Sequence, residues 1–149
     1  MSNTNPKREE KRGTRQFSIR VAKQVFDDLE LRAHETAESR NALAERYIAE
    51  GIRLDEHPDI YFRQGALGRR AALVGTRLDV WQVIQTVRNH ENSLEQTADY
   101  LSLPIPKVRA AVRYCAAYPD EVEEMAEREA RSAERAAAAW RKEQELLSR

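Results

Sequence analysis

The sequence predicts a mainly α fold in three successive parts. A strand and two helices that need a second copy of the chain come first, then a small β-hairpin with a group of short helices, then one long C-terminal helix. Three observations carry this. Arg15-Gln16-Phe17-Ser18-Ile19-Arg20-Val21 alternates, with Phe17, Ile19 and Val21 on one face and Gln16, Ser18 and Arg20 on the other, the period of a half-buried strand. No second strand-like run follows before Ile60, so that strand's backbone donors and acceptors have no neighbour in their own chain. Finally, Glu121 to Leu147 contains no Gly or Pro and is dense in helix formers.

Residues 1–13 are polar, carry Pro6 and Gly13, and read as a disordered basic arm able to add phosphate contacts. Residues 14–56 form the first domain. The unpaired strand is satisfied most simply by its twin in a second copy, which gives a two-stranded antiparallel ribbon with helices behind it. Such a ribbon fits the major groove of DNA, where Arg reads guanine, Gln reads adenine and Ser is tolerant. Gln16, Ser18 and Arg20 are therefore the candidate base readers. The next helix is expected over Ala22–Thr36, with Val25, Leu29 and Ala33 on one face and Phe26 beside them. Its other side carries Asp27, Asp28, Glu30 and Glu35 and so faces away from DNA. Ser39 suits an N-cap, and a second helix follows with Leu43, Tyr47, Ile48 and Ile52 inward, ending between Gly51 and Leu54. The free amides at its start, beside Arg40, make an anion site that can coexist with capping by Ser39.

The order strand, helix, turn, helix, with Gln-Phe-Ser-Ile-Arg-Val as the strand, resembles the ribbon-helix-helix (Arc/MetJ-like) repressors over roughly residues 14–54. The resemblance puts Gln16, Ser18 and Arg20 on that family's base-reading positions, and Ser39, Arg40 and Asn41 where its second helix grips a phosphate. It implies an obligate homodimer that binds operator DNA.

Residues 57–119 form the second domain. Pro58 marks its start. Ile60-Tyr61-Phe62 and Ala71-Ala72-Leu73-Val74 are short strands separated by Gly65 and Gly68, a hairpin pattern, with Arg69 and Arg70 either touching a backbone phosphate or, by default, solvated. A helix is expected over Asp79–Asn89 with Val80, Trp81, Ile84 and Val87 apolar. Ser93-Leu94-Glu95-Gln96 fits a capping box and opens a short helix to about Leu101. Pro106 suits the first turn of a further helix that reaches about Tyr118, with Val108, Ala111, Val112 and Cys115 inward. Short helix, tight turn, longer helix is the helix-turn-helix pattern. Lys107, Arg109 and Arg113, on or near the polar side of the last helix, are candidates for a second DNA site, unless this domain only dimerises.

Gly75-Thr76-Arg77 before Val80-Trp81, then Leu94-Glu-Gln-Thr-Ala-Asp-Tyr-Leu101 and Val108-Arg-Ala-Ala-Val-Arg-Tyr114, resemble a bacterial VapB-type antitoxin family with a homeodomain-like helix-turn-helix. That family usually has a Pro where this chain has Asp79. The resemblance covers roughly residues 60–124 and implies pairing with a PIN-type ribonuclease toxin.

Residues 120–149 are read as a partner-binding helix. Ala126, Ala130, Ala133, Ala137, Trp140, Gln144 and Leu147 recur in steps of four and three, a heptad seam made mostly of alanine. Alanine buries little, so the seam either takes a partner's larger side chains or stays solvated. Ala133, Ala137, Trp140 and Leu147 are the candidate toxin contacts, with Trp140 as anchor.

Charge is partitioned along a chain whose net charge is zero. Residues 1–23 hold seven Lys/Arg against two Glu, and residues 119–149 hold nine Asp/Glu against six Lys/Arg. A basic front and an acidic tail suit two different partners. The single cysteine, Cys115, gives no internal disulfide, and no apolar run reaches membrane-spanning length, so a cytoplasmic protein without a membrane partner is expected. His34, His57 and His90 are scattered, no Gly-rich phosphate loop appears, and no catalytic constellation is found. The expectation is therefore no enzyme, no metal, no cofactor and no small-molecule substrate. The functional reading is an antitoxin that represses its own operator and neutralises a toxin. A stand-alone ribbon-helix-helix regulator, or a protein-interaction module with a vestigial DNA surface, are the alternatives.

Overall fold

The computed structural model describes residues 13–148. The arm expected over residues 1–13 lies outside them except for Gly13. The described chain is mainly helical: α1 (Lys23–Thr36), α2 (Arg40–Glu56), β1 (Ile60–Gly65), β2 (Gly68–Leu73), α3 (Val80–Asn89), α4 (Leu94–Leu101), α5 (Ile105–Ala117) and α6 (Pro119–Leu147). No described helix is long and apolar enough to cross a membrane. Two compact units form, one up to Arg46 and one from Tyr47 onward.

Among the described residues the first unit begins with a run, residues 13–22, that lies in no helix or strand, and none of residues 13–21 makes a backbone hydrogen bond. Helix α1 ends in a left-handed turn at Ala37 (φ 55°), where the Glu38 amide returns to the Ala33 carbonyl at 3.1 Å. Ser39 caps α2, its Oγ accepting from the Ala42 amide at 3.1 Å. Arg46 closes the turn between the helices by donating Nη2 to Glu38 Oε2 at 2.6 Å.

The second unit is built on the antiparallel hairpin, in register from Ile60 opposite Leu73 to Gly65 opposite Gly68. Its two-residue turn is completed by Gly68 at φ +114°, a conformation that suits glycine alone. Ile60, Ala71 and Leu73 join Val80, Val83, Ile84 and Val87 of α3, Ala98 of α4, and Val108, Ala111 and Tyr114 of α5 in one core. Ser93 caps α4, accepting from the Gln96 amide at 3.2 Å, and a left-handed Ser102 turns the chain into α5.

Three expectations need correction. Tyr47, Ile48 and Ile52 of α2, expected inward as Leu43 is, are 42 %, 41 % and 55 % exposed in the single chain. Arg69 and Arg70 are not solvated. Arg69 forms a two-pronged pair with Glu50, one arm at 2.8 Å, and the Arg70 side chain is only 10 % exposed between Asp79 and Glu129. Nor is the whole C-terminal helix free for a partner. Val122 and Met125 of α6 are buried, and Glu129 reaches back to Arg70 at 2.6 Å, so the first turns of α6 complete the second unit's core. An acidic surface elsewhere on those turns does not prevent one apolar edge from packing inward.

Candidate functional site

The residues expected to read bases and to hold a phosphate at the start of α2 lie in the first unit. Gln16, Ser18 and Arg20 are exposed, and so is the opposite face of the same run, where Phe17 is 67 %, Ile19 62 % and Val21 45 % exposed. Val25, Phe26 and Leu31 of α1 are also exposed, and among the described residues of this unit only Ala33 and Leu43 are buried. Three large apolar residues in a row of alternating positions, on backbone with no ladder partner, form a surface that water does not favour. Covering a Phe or an Ile gains about 1.5–3 kcal/mol each.

At the start of α2 the serine hydroxyl is engaged in capping, while Arg40 and Asn41 are exposed. Arg40 lies over the Phe26 ring at 4.9 Å and donates Nη1 to Glu30 Oε1 at 2.6 Å. Both partners are exposed, so this ion pair is worth little and yields to a phosphate at small cost.

In the second unit the three candidate cations separate into two kinds. Lys107 is tied down: its Nζ donates to Asp59 Oδ1 at 2.7 Å and to the Val74 carbonyl at 3.2 Å. Arg109 and Arg113 lie exposed on α5. The distal part of α6 is exposed along its length, with Ala133, Ala137, Trp140 (60 %) and Leu147 (78 %) all open to solvent.

Two polar centres in this unit escaped the sequence reading. The first is Asp79, 1 % exposed at the N-cap of α3. Its carboxylate accepts from Arg63 Nε at 2.8 Å, Arg70 Nη1 at 3.1 Å and Trp81 Nε1 at 3.2 Å, while its own amide donates to Gln82 Oε1 at 2.9 Å. One carboxylate thus ties both hairpin strands to the helix. Beside it, Arg70 Nε is buried without a hydrogen-bond partner among the described residues, next to a cavity of about 20 Å³ bounded by Arg70, Trp81, Val122 and Met125. That volume admits about one water-sized group.

The second is Tyr114, fully buried, whose hydroxyl donates to Glu121 Oε1 at 2.6 Å and accepts from Arg53 Nη1 at 3.3 Å. Arg53 also pairs with Glu121 and stacks over the Tyr118 ring at 4.3 Å. Burial, reinforced by the Glu121 carboxylate, pushes the Tyr114 hydroxyl far above the usual phenol range. Burial also pushes the half-buried Cys115 thiol up, which disfavours the reactive thiolate. Both centres join segments distant in the chain and act as architectural clamps.

Comparison of the chain with protein-family models, curated proteins and solved structures found no match in any of the three.

Proposed function

We propose that two copies of the chain join through residues 15–21 into a ribbon that binds operator DNA, and that the pair is an antitoxin-type repressor. The observation that carries this reading is the run itself: backbone unpaired among the described residues, and an alternating sequence in which Phe17, Ile19 and Val21 stand exposed between Gln16, Ser18 and Arg20. A second copy supplies the missing ladder and covers the apolar edge in one step, since a twofold interface is self-complementary. The polar edge is then presented twice, with side chains suited to guanine and adenine. Ser39, Arg40 and Asn41 at the start of α2 hold a phosphate through free amides and charge, which fixes position and leaves sequence to the ribbon.

The exposed distal turns of α6 are the proposed holding surface for the toxin, a PIN-type ribonuclease by resemblance. Trp140 is the one aromatic on an alanine-rich helix and the natural anchor. The test is selection of duplexes from a random-sequence library by the full chain, together with co-expression beside the neighbouring reading frame. Enrichment of a symmetric site and co-purification of a ribonuclease support the reading. Recovery of unselected DNA alone would remove the ribbon as a reader of sequence, and absence of the ribonuclease would leave a regulator without a toxin.

A further inference from the structure

Helices α4 and α5 present opposite charges at matching spacing. The exposed side of α4 carries Glu95 and Asp99, four residues apart, with Tyr100 beside them at 70 % exposure. The exposed side of α5 carries Arg109 and Arg113, also four residues apart, beginning beyond Ile105 at 36 % exposure. None of these four charged groups has an ion-pair partner among the described residues. In the same unit Arg53, Arg63, Arg69, Arg70, Arg88 and Lys107 are paired internally, while Arg77 before α3 and Arg135, Arg141 and Lys142 on distal α6 share the unpaired state among the described residues. Residues four apart on a helix are about 6 Å apart along its axis, so a pair of carboxylates on one helix can meet a pair of guanidinium groups on another.

We infer that this face is an interface with a second copy of the chain, α4 of each copy lying against α5 of the other. Twofold symmetry lets Glu95 and Asp99 meet the other copy's Arg109 and Arg113 while the reciprocal contact forms at the same time. The exposed Tyr100, whose ring lies 5.0 Å from that of His90, and Ile105 lie between the two charged lines in sequence and supply apolar contact within a polar surround. DNA is the less suitable occupant, because the acids of α4 repel phosphate beside any contact made by α5. The inference goes beyond the operator-binding reading and does not depend on it.

The experiment places a photo-crosslinking residue beside the charged groups in the full chain, Tyr100→p-benzoylphenylalanine, with Gln85→p-benzoylphenylalanine, an exposed position of α3, as control. The expected result is a crosslinked dimer from position 100, its second end mapping to residues 94–117 of the other copy, and none from position 85. Either Arg109→Glu with Arg113→Glu, or Glu95→Arg with Asp99→Arg, puts like charges opposite each other and should lower the yield at least about fivefold. Co-expressing the two reversed chains should restore it. If a reversed chain melts below the parent, salt gives the same reading on the parent surface: the yield should fall between about 0.05 and 1 M salt, as exposed ion pairs are screened. A yield indifferent to reversal and to salt, a crosslink mapping elsewhere, or transfer of the crosslink to added duplex DNA would overturn the inference. The readout involves only this face, so failure of operator binding would leave it unaffected.

Discussion

Asp79→Ala should damage the second unit as much as the loss of a large core side chain does. The carboxylate is 2 % exposed and its partner Arg70 is 10 % exposed. Breaking a buried ion pair from one side costs about 3–5 kcal/mol, because the other charge is left behind. Arg70 keeps Glu129 at 2.6 Å, which reduces that share to about 2 kcal/mol for a group still paired once. The Trp81 indole, with its acceptor gone, adds about 1 kcal/mol. Arg63, 39 % exposed, turns to water and adds less than about 1 kcal/mol. The total is about 3 kcal/mol. With a urea slope of about 1.5 kcal/mol/M, the midpoint should fall by about 2 M. In a Trp140→Phe background Trp81 is the sole tryptophan, so its fluorescence follows this unit alone. Asp79→Asn, which keeps an acceptor for Trp81, should fall between parent and alanine. A midpoint shift under about 0.3 M, less than 0.5 kcal/mol at that slope, would refute the view that this carboxylate holds the hairpin to α3.

Gly65→Ala should destabilise the same unit by about 1–3 kcal/mol, because the added methyl would lie 2.6 Å from the Arg70 guanidinium, which Asp79 and Glu129 hold in place; urea unfolding reads it. Tyr114→Phe should cost about 1–2 kcal/mol and also change the alkaline limb of stability. The folded hydroxyl is raised above the ordinary value of 10.0, so its contribution is complete below that pH and is lost as pH rises beyond it. The phenylalanine variant should therefore lose less stability above pH ~10 than the parent does, by melting curves across that range. Truncation after Ser132 should leave the Trp81-reported midpoint unchanged and abolish capture of the ribonuclease, whereas truncation after Asp120 should unfold the unit by removing Val122 and Met125 from its core. Arg20→Ala should weaken binding to the selected operator by about 1–3 kcal/mol and relax preference at one position of each half-site, read on a panel of operator variants at fixed salt.

Periodicity and turn chemistry made most helices and both hairpin strands legible. Ser39 and Ser93 cap the helices they were expected to cap, and Gly68 closes the hairpin. What stayed hidden has physical reasons. Tyr114 follows Val108 and Ala111 on the buried face of α5, but its hydroxyl finds partners 61 residues before it, at Arg53, and 7 residues after it, at Glu121. Such pairings leave no local pattern. Val122 and Met125 sit among Glu121, Glu123 and Glu124, so an acidic run concealed a packing edge. Arg69 and Arg70 looked solvated because their carboxylates come from α2, α3 and α6. Asp79 stands where the resembling family has proline, and its carboxylate accepts from Arg63, Arg70 and Trp81 together. The alternation of residues 15–21 was plain in the sequence, and in the single chain that run lies in no strand.

Amide hydrogen exchange of residues 15–21 in the full chain, measured over a range of protein concentrations without DNA, tests the ribbon most directly. If two copies pair there, alternate amides should be protected at high concentration, because in a two-stranded ribbon only every second residue donates to the partner. That protection should vanish on dilution as the copies separate. Exchange at the rate of an unstructured peptide at every concentration would contradict the ribbon, and the DNA-reading role of Gln16, Ser18 and Arg20 would fall with it.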